Sequence, residues 1–217
     1  MRNWGGAVRG PALIARCEWK RSMYGKLESS FVVAVALGIG LNLCGWTAGA
    51  QSIEEKTQAC ARCHGQDGKP VDKTIPGIWG QQPGYIFIQL RDFKRGDRKN
   101  DIMQPIASSL ERQDMLDIAN HFSKKPWLDL GQPRAPKEIA DRALIANRSV
   151  GCTGCHLDHF QGDGTVPRLA GMSREYLTKS MADFRTRARG NNPGMSDLML
   201  ATSPDDLAAL AEYLAGL

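Results

Sequence analysis

Four cysteines and two histidines of the chain form two copies of one five-residue pattern. The copies are Cys60-Ala61-Arg62-Cys63-His64 and Cys152-Thr153-Gly154-Cys155-His156. Two thiols at this spacing on one tight turn can reach both vinyl groups along one edge of a porphyrin, and the histidine that follows then faces the iron. The pattern therefore predicts two covalently bound haem c groups. The thioether bonds are assigned to Cys60, Cys63, Cys152 and Cys155, and the iron ligands to His64 and His156.

Three other roles are chemically open to these cysteines. Four thiolates can close a tetrahedral zinc site. A dithiol redox pair of the thioredoxin kind is expected near a βαβ pattern, and the sequence shows no such pattern. Structural disulfides are common in oxidising compartments. None of the three roles uses the histidine that follows each pair, so the sequence favours haem attachment.

The two patterns belong to a longer internal repeat. The second pattern follows the first at an offset of 92 residues, and an offset of 91 relates Gly80 to Gly171 and Tyr85 to Tyr176. A repeat of this size indicates two domains, since solenoid units run about 20 to 50 residues. We expect domains at residues 51–125 and 138–217. The Pro- and Gly-containing stretch 126–137 is the expected linker.

Each half is predicted to contain three helices, which makes the fold all-α. The first helix is expected at residues 53–60 and 138–148, and the last at about 111–123 and 204–215. Between them, Ile86, Leu90 and Phe93 in one half, and Leu177, Met181 and Phe184 in the other, follow the i, i+4, i+7 spacing of one helix face. No stretch alternates between apolar and polar residues as a strand would.

A haem that has one histidine ligand needs a sixth ligand on the other side of the iron. Met103 and Met195 occupy equivalent places in the repeat, at an offset of 92 residues. We expect both in loops after the middle helices, where a thioether can turn inward to the iron. Most methionines pack in cores, and Met199 is the nearest competitor in the second half. Histidine and methionine together raise the reduction potential and leave no open site on the iron.

The first 50 residues differ from the rest of the chain. Basic residues precede an apolar run of 13 residues, Phe31 to Leu43, and Ala48-Gly49-Ala50 follows. A signal-peptide core has about 7 to 15 apolar residues, whereas a spanning helix needs about 20. Residues 1–50 are therefore predicted to be a signal peptide, with a periplasmic mature chain. An uncleaved anchor is the alternative, and the true start codon is either Met1 or Met23.

Net charge excludes one class of partner. Residues 1–50 contain six basic and two acidic side chains, so they account for +4 of the total +5. The mature chain is close to neutral and lacks the basic excess typical of nucleic-acid binding. We therefore expect no nucleic-acid partner, while peripheral association with a membrane stays open.

With these features, the sequence resembles the dihaem cytochromes of the c4 type, in which two class I cytochrome c domains are joined in tandem. The resemblance covers nearly all of residues 51–217. It is carried by the two motifs, the segments from Pro76 to Gly80 and from Pro167 to Gly171, and the paired methionines. It implies that the carbonyls of Pro76 and Pro167 accept the N–H of the proximal histidines, with Met103 and Met195 as distal ligands. Trp79 departs from the repeat, because Ala170 stands at its place in the second half.

The same resemblance implies electron transfer in the periplasm between redox proteins, among them a terminal oxidase or a dehydrogenase. The sequence leaves two alternatives open. One is a cytochrome subunit of a larger dehydrogenase or oxidase complex. The other is a dihaem enzyme such as a peroxidase, which often needs an open iron site or a different axial ligand. A basic cluster of Arg95, Arg98, Arg187 and Arg189 is interpreted either as a partner for haem propionates or as a solvated loop.

Overall fold

The computed structural model describes residues 52–217, and this part of the chain is helical. Its elements in order are α1 (Ile53–His64), α2 (Pro83–Arg95), α3 (Met103–Ser108), α4 (Arg112–Ser123), α5 (Lys137–Val150), α6 (Thr153–His156), α7 (Arg174–Arg185), α8 (Pro193–Ala201) and α9 (Pro204–Ala215). Within that range, one antiparallel bridge between Asp163 and Val166 is the only extended pairing. The predicted signal peptide lies outside the described residues. None of the described helices has both the length and the apolar character needed to cross a membrane.

The helices repeat in the same packing order in both halves. In the first half, α4 packs against α1 and α2, and α2 also contacts α3. In the second half, α9 packs against α5 and α7, and α7 also contacts α8. The predicted all-α fold is therefore confirmed for residues 52–217, and its two halves repeat one helical arrangement in tandem.

Apolar faces at helical spacing form the core of the first half. Ile86 and Leu90 of α2 are buried with Ile118 and Phe122 of α4 in one cluster. Fully burying a side chain of this size contributes about 1.5–3 kcal/mol. This cluster holds α2 and α4 together beside the haem-attachment motif of α1.

The last helix of the second half begins where its sequence predicts. Ser203 accepts a hydrogen bond from the backbone N–H of Asp206 at 3.1 Å, and Pro204 occupies the first helical position. The serine satisfies one of the free N–H groups of the first turn, and proline has no N–H to satisfy. Leu207 and Leu210 of this helix are buried in the core of the second half.

The structure corrects the expectation that Met103 and Met195 lie in loops. Met103 begins α3, and Met195 lies in the first turn of α8. Asn100 accepts a hydrogen bond from the N–H of Met103 at 2.8 Å, and Asn192 accepts one from the N–H of Met195 at 3.1 Å. These side chains stabilise the starts of helices of 6 and 9 residues, which are too short to show a clear apolar period.

The segment between α4 and α5 is held against the second half. Gln132 donates from its side-chain amide to the carbonyls of Met172 and Ala215, each at 3.2 Å. Its amide oxygen accepts the N–H of Arg174 at 3.0 Å. The guanidinium of Arg168 lies 4.7 Å from the centre of the Trp127 ring. The connection therefore has defined contacts and does not cross open solvent as a free tether.

Candidate haem sites

The first motif lies at the end of α1. Cys60, Cys63 and His64 belong to the last turns of this helix, and His64 is buried. The ring Nδ1 of His64 lies 2.8 Å from the carbonyl oxygen of Pro76. The helix thus presents both thiols and the histidine from one short stretch, and the loop that follows it fixes the orientation of the ring.

The second motif has the same contacts on a broken helix. α5 ends at Val150, and Cys155 and His156 lie on the separate short helix α6. The Nδ1 atom of His156 lies 2.9 Å from the carbonyl oxygen of Pro167, and the ring is buried. The bonds from both histidines to the proline carbonyls, expected from the resemblance, are therefore present.

These bonds determine which ring nitrogen is free to bind iron. A carbonyl oxygen can only accept, so Nδ1 carries the proton in His64 and in His156, and Nε2 keeps its lone pair. Burial lowers the pKa of His64 and of His156, and in each ring the hydrogen bond to the proline carbonyl opposes part of that effect. Both rings are neutral at pH 7, which is the form that binds a metal.

Two of the four thiols are held in surroundings that favour their neutral form. Burial raises the pKa of Cys60 to about 11, and it also raises the pKa of Cys152. Within residues 52–217, no three His, Cys, Asp or Glu side chains come together as a metal-binding group. Each pair of thiols instead stands beside one histidine on the wall of a cavity.

One large cavity runs along both motifs. Its volume is about 1160 Å³, and all four cysteines, both histidines, Met103 and Met195 line it. Pockets for a single small ligand usually occupy about 300–1,000 Å³. Apolar side chains from both halves form much of the wall, including Ile86 and Leu177. A volume above the usual range, with a thiol pair and a neutral histidine at two places on its wall, fits two porphyrins.

The methionines of the first half separate into two environments. Met103 is half-buried and lines the cavity, whereas Met115 is buried in the core of that half. In the second half, the cavity wall includes Met172, Met181 and Met199 as well as Met195. Of these four, only Met195 has a methionine at the equivalent place of the first half. The structure thus brings both predicted distal residues to the same cavity as the histidines.

The four arginines of the basic cluster also fall into two groups. Arg95 and Arg187 are on the surface, where each lies within 3.5 Å of an aspartate carboxylate. Arg98 and Arg189 line the cavity, and each guanidinium stacks on a phenylalanine ring of its own half. Of the four arginines, only Arg98 and Arg189 are therefore placed where they could face haem propionates.

These two arginines reach across to the opposite half in a reciprocal manner. Arg98 donates to the hydroxyl of Tyr176 at 3.4 Å, and Arg189 donates to the hydroxyl of Tyr85 at 3.0 Å. Burial raises the pKa of Tyr85. Burial also opposes ionisation of Tyr176, but the positive charges of Arg98 and Arg189 outweigh it and lower that pKa to about 7. Near the two motifs, the halves therefore meet through a charged and hydrogen-bonded contact.

Sequence reasoning missed one buried polar residue at this contact. Gln81 is 2% exposed and lines the cavity. Its side-chain amide donates to the carbonyl of Arg168 at 3.0 Å and accepts the N–H of the same residue at 2.8 Å. The partners lie 87 positions apart, so no local pattern could have indicated the bond. The only signal is a polar pair, Gln81-Gln82, directly before the proline that begins α2.

Comparisons with known proteins agree with this geometry. The cytochrome c family model matches residues 142–217. Cytochrome c4 of Pseudomonas aeruginosa is 32% identical over 199 residues, which cover 87% of this chain and 99% of that protein. A thiosulfate dehydrogenase electron acceptor of Stutzerimonas stutzeri is 34% identical over 168 residues, which cover 72% of this chain and 78% of that protein.

A solved structure extends the likeness to the fold. The crystal structure of reduced recombinant cytochrome c4 from Pseudomonas stutzeri aligns with a TM-score of 0.67 at 29% identity. The alignment covers 77% of this chain and 100% of that one. The similarity thus spans both halves of the chain and both motifs.

Proposed function

The chain belongs to the cytochrome c4 family, and we propose that it carries electrons in the periplasm from a dehydrogenase to a terminal oxidase. As a member of that family it is a dihaem electron-transfer protein with two covalently attached haem c groups. One observation carries the proposal for this chain. Both motifs stand on one cavity, each with a histidine whose Nδ1 is bonded to a proline carbonyl and whose Nε2 is free.

The proposed attachment uses the residues of each half in the same roles. Cys60 and Cys63 form thioethers in the first half, with His64 as the proximal and Met103 as the distal ligand. Cys152, Cys155, His156 and Met195 take these roles in the second half. The repeat supports this assignment, and so does the presence of all eight side chains on the cavity wall.

Two protein ligands at each iron favour electron carriage over substrate turnover. Haem supplies a one-electron couple when bound, and a histidine and a methionine together leave no position for a substrate. The chain's residues have the task of holding that ligation while excluding water. Burial keeps His64 and His156 neutral, and the proline carbonyls fix their rings. Apolar side chains around the cavity favour the less charged ferrous state.

Redox proteins are the expected partners on both sides. The named role of the Stutzerimonas stutzeri relative, an electron acceptor of thiosulfate dehydrogenase, supports a dehydrogenase as the donor. The same likeness favours a second candidate, a cytochrome subunit held within a dehydrogenase complex. Purification of the native protein from its own membranes and soluble fraction distinguishes the two, because only a subunit copurifies with stoichiometric dehydrogenase.

A spectroscopic redox titration of the purified mature protein tests the proposal. We expect two low-spin haems per chain, the ferric methionine-to-iron absorption band, and positive reduction potentials. One haem per chain, a high-spin ferric signal, or very negative potentials without the band would contradict the ligand assignment. They would also favour an enzyme over a carrier.

Matched variants assign the distal ligands. Met103→Leu and Met195→Leu are each expected to remove about half of the methionine-to-iron band and to lower one potential. Met115→Leu and Met199→Leu keep the side-chain volume and are expected to keep the whole band. Loss of the band in Met199→Leu, with retention in Met195→Leu, would place the distal ligand of the second half one helical turn further along α8.

A further inference from the structure

We infer that Gln81, a residue of the first half, positions the proximal histidine of the second half and lowers the reduction potential of the haem bound there. The buried side chain of Gln81 makes two hydrogen bonds to the backbone of Arg168. Its Oε1 atom accepts the N–H of Arg168 at 2.8 Å, and its Nε2 atom donates to the carbonyl of Arg168 at 3.0 Å.

The N–H of Arg168 belongs to the same planar peptide group as the carbonyl of Pro167. That carbonyl accepts the Nδ1 proton of His156 at 2.9 Å. One peptide group is therefore hydrogen-bonded at both ends, to Gln81 of the first half and to His156 of the second. Hydrogen bonds in such a chain polarise one another, so the bond from Gln81 makes the Pro167 carbonyl a stronger acceptor.

A stronger acceptor changes the proximal ligand in a defined direction. A hydrogen bond from Nδ1 raises the basicity of a ligating histidine, and it fixes the plane of the ring. A more basic ligand stabilises ferric iron, which lowers the reduction potential. Through the Pro167–Arg168 peptide group, Gln81 thus adjusts a haem that its own half does not attach.

The first half has no counterpart to this contact. The repeat pairs Gln81 with Met172, and it pairs Arg168 with Gly77. Met172 is buried in the apolar core of the second half. Among the hydrogen bonds of residues 52–217, none joins a side chain to the backbone of Gly77. The carbonyl of Pro76 therefore accepts the proton of His64 without that second bond, and the two haem sites differ in this respect.

The test uses the mature protein with both haems attached, because the inference rests on the ligand assignment of the proposed function. In Gln81→Met, which places the residue of the second half at this position, we expect the potential of the second haem to rise. The first haem is expected to keep its potential. In the ferrous state, proton NMR is expected to show the Nδ1 proton of His156 exchanging with solvent about tenfold faster. The proton of His64 is expected to be unchanged.

The adjacent glutamine supplies a matched control. Gln82 also makes two hydrogen bonds to the second half, to the carbonyls of Gln161 and Gly162, each at 3.1 Å. Neither bond involves the Pro167–Arg168 peptide group, whose carbonyl accepts the Nδ1 proton of His156. If Gln82→Met shifts the second potential as much as Gln81→Met does, the effect comes from the interface in general, and the inference is overturned. An unchanged second potential in Gln81→Met overturns it as well.

A second variant covers the case in which Gln81→Met fails to retain both haems. Gln81→Glu keeps an acceptor for the N–H of Arg168, and a charged acceptor makes the stronger hydrogen bond. We expect the Nδ1 proton of His156 to exchange more slowly in this variant, and faster exchange overturns the inference. The wild-type spectrum distinguishes a failure of the ligand assignment from a failure of the proposed role of Gln81. If it lacks two protected imidazole protons, the ligand assignment fails; if these are present but unaffected by either variant, only the role of Gln81 fails.

Discussion

The two halves of the chain place different residues at the turn that follows the haem-attachment motif. In the first half this residue is Gly65, with a φ of +90°, and in the second half it is Leu157, with a φ of +64°. A Cβ on Gly65 would lie 2.0 Å from the backbone oxygen of Lys69. Leucine in the left-handed region carries a steric cost that glycine avoids. The second half therefore retains backbone strain at a turn where the first half has none.

The two halves also place a large aromatic side chain at different positions of the repeat. A Cβ on Gly68 would lie 2.6 Å from the ring of Trp79. In the second half the equivalent of Gly68 is Phe160, which is buried in a cluster with Ala170, the equivalent of Trp79. The small and large residues have exchanged positions. The duplicated fold therefore keeps the volume beside the motif filled in both halves, and the residue that fills it changes only together with its neighbour.

Truncation of Phe160 is expected to have the largest effect on stability. Because the ring is 3% exposed, Phe160→Ala should lower the free energy of unfolding by about 3–5 kcal/mol. Trp79→Ala, in the half-buried position of the first half, should cost less. Denaturant unfolding followed by circular dichroism measures both values. An equal or larger loss in Trp79→Ala would show that the two aromatic residues do not fill equivalent space.

Placing the residues of the second half at the equivalent positions of the first, with Gly68→Phe and Trp79→Ala, is expected to show strong coupling between the two substitutions. Gly68→Phe alone should destabilise the protein, because its side chain meets the rings and methyl groups of Trp79 and Leu128. Adding Trp79→Ala removes one of these obstacles. In a double-mutant cycle we expect a favourable coupling free energy of about 0.5–3 kcal/mol. Additive effects of the two changes would contradict the proposed exchange of volume.

Relief of the strained turn is expected to give a smaller, stabilising effect. Leu157→Gly should raise the free energy of unfolding by about 1 kcal/mol, since the strain released exceeds the added entropy of the unfolded chain. Thermal and denaturant unfolding measure the change. Val71→Gly is the control, because Val71 is exposed and has a negative φ. This control is expected to lose stability, and a similar gain in both variants would exclude strain as the cause.

The smallest expected difference between the halves is in how much stability each loses at acid pH. Asp114 and Asp206 are equivalent, and each pairs with a basic residue of the first helix of its half, Lys56 or Arg142. A side-chain hydrogen bond from Lys56 lowers the pKa of Asp114, and bonds from Ser203 and Arg142 lower that of Asp206. A carboxylate whose pKa is lower in the folded state stabilises the fold at pH values above its ordinary, unfolded-state pKa of about 4. This stabilisation is lost as the pH falls through the folded-state pKa.

In Asp114→Asn and Asp206→Asn, the free energy of unfolding should fall less steeply on acidification than in the wild type. Both ion pairs remain in contact with solvent, with side chains 21–46% exposed, so only slight destabilisation is expected at pH 7. Unfolding midpoints measured from pH 7 down to pH 3 test this. A steeper decline in either variant than in the wild type would contradict the assignment, and unequal slopes would reveal a further difference between the halves.

Local chemistry made much of this structure predictable from the sequence. The motifs are five residues long, and the types and spacing of their residues are enough to indicate haem attachment. The last helix of the second half begins at Pro204 because Ser203 caps it within four residues. The bonds from His64 and His156 to the proline carbonyls followed from the resemblance. Helices α3 and α8 were missed because their starts depend on Asn100 and Asn192 and not on an apolar period.

Contacts between the halves could not be predicted in the same way. The bonds from Gln81 to Arg168, and the reciprocal bonds from Arg98 and Arg189 to tyrosines, join residues 78 to 104 positions apart. Their formation depends on how two folded halves dock, which leaves no periodic signal in either half. The cluster of arginines was visible in the sequence, but its division into cavity and surface residues required the three-dimensional arrangement.

The segment between α4 and α5 has a consequence for the rate at which the halves exchange electrons. A loose tether would let the halves swing apart, and the exchange rate would then fall as the solvent became more viscous. Here Gln132 and Trp127 hold the segment to the second half, and Gln81 holds the halves to each other. We therefore expect the same intramolecular exchange rate in water and in glycerol solutions, as for a relay of fixed length without a swinging arm.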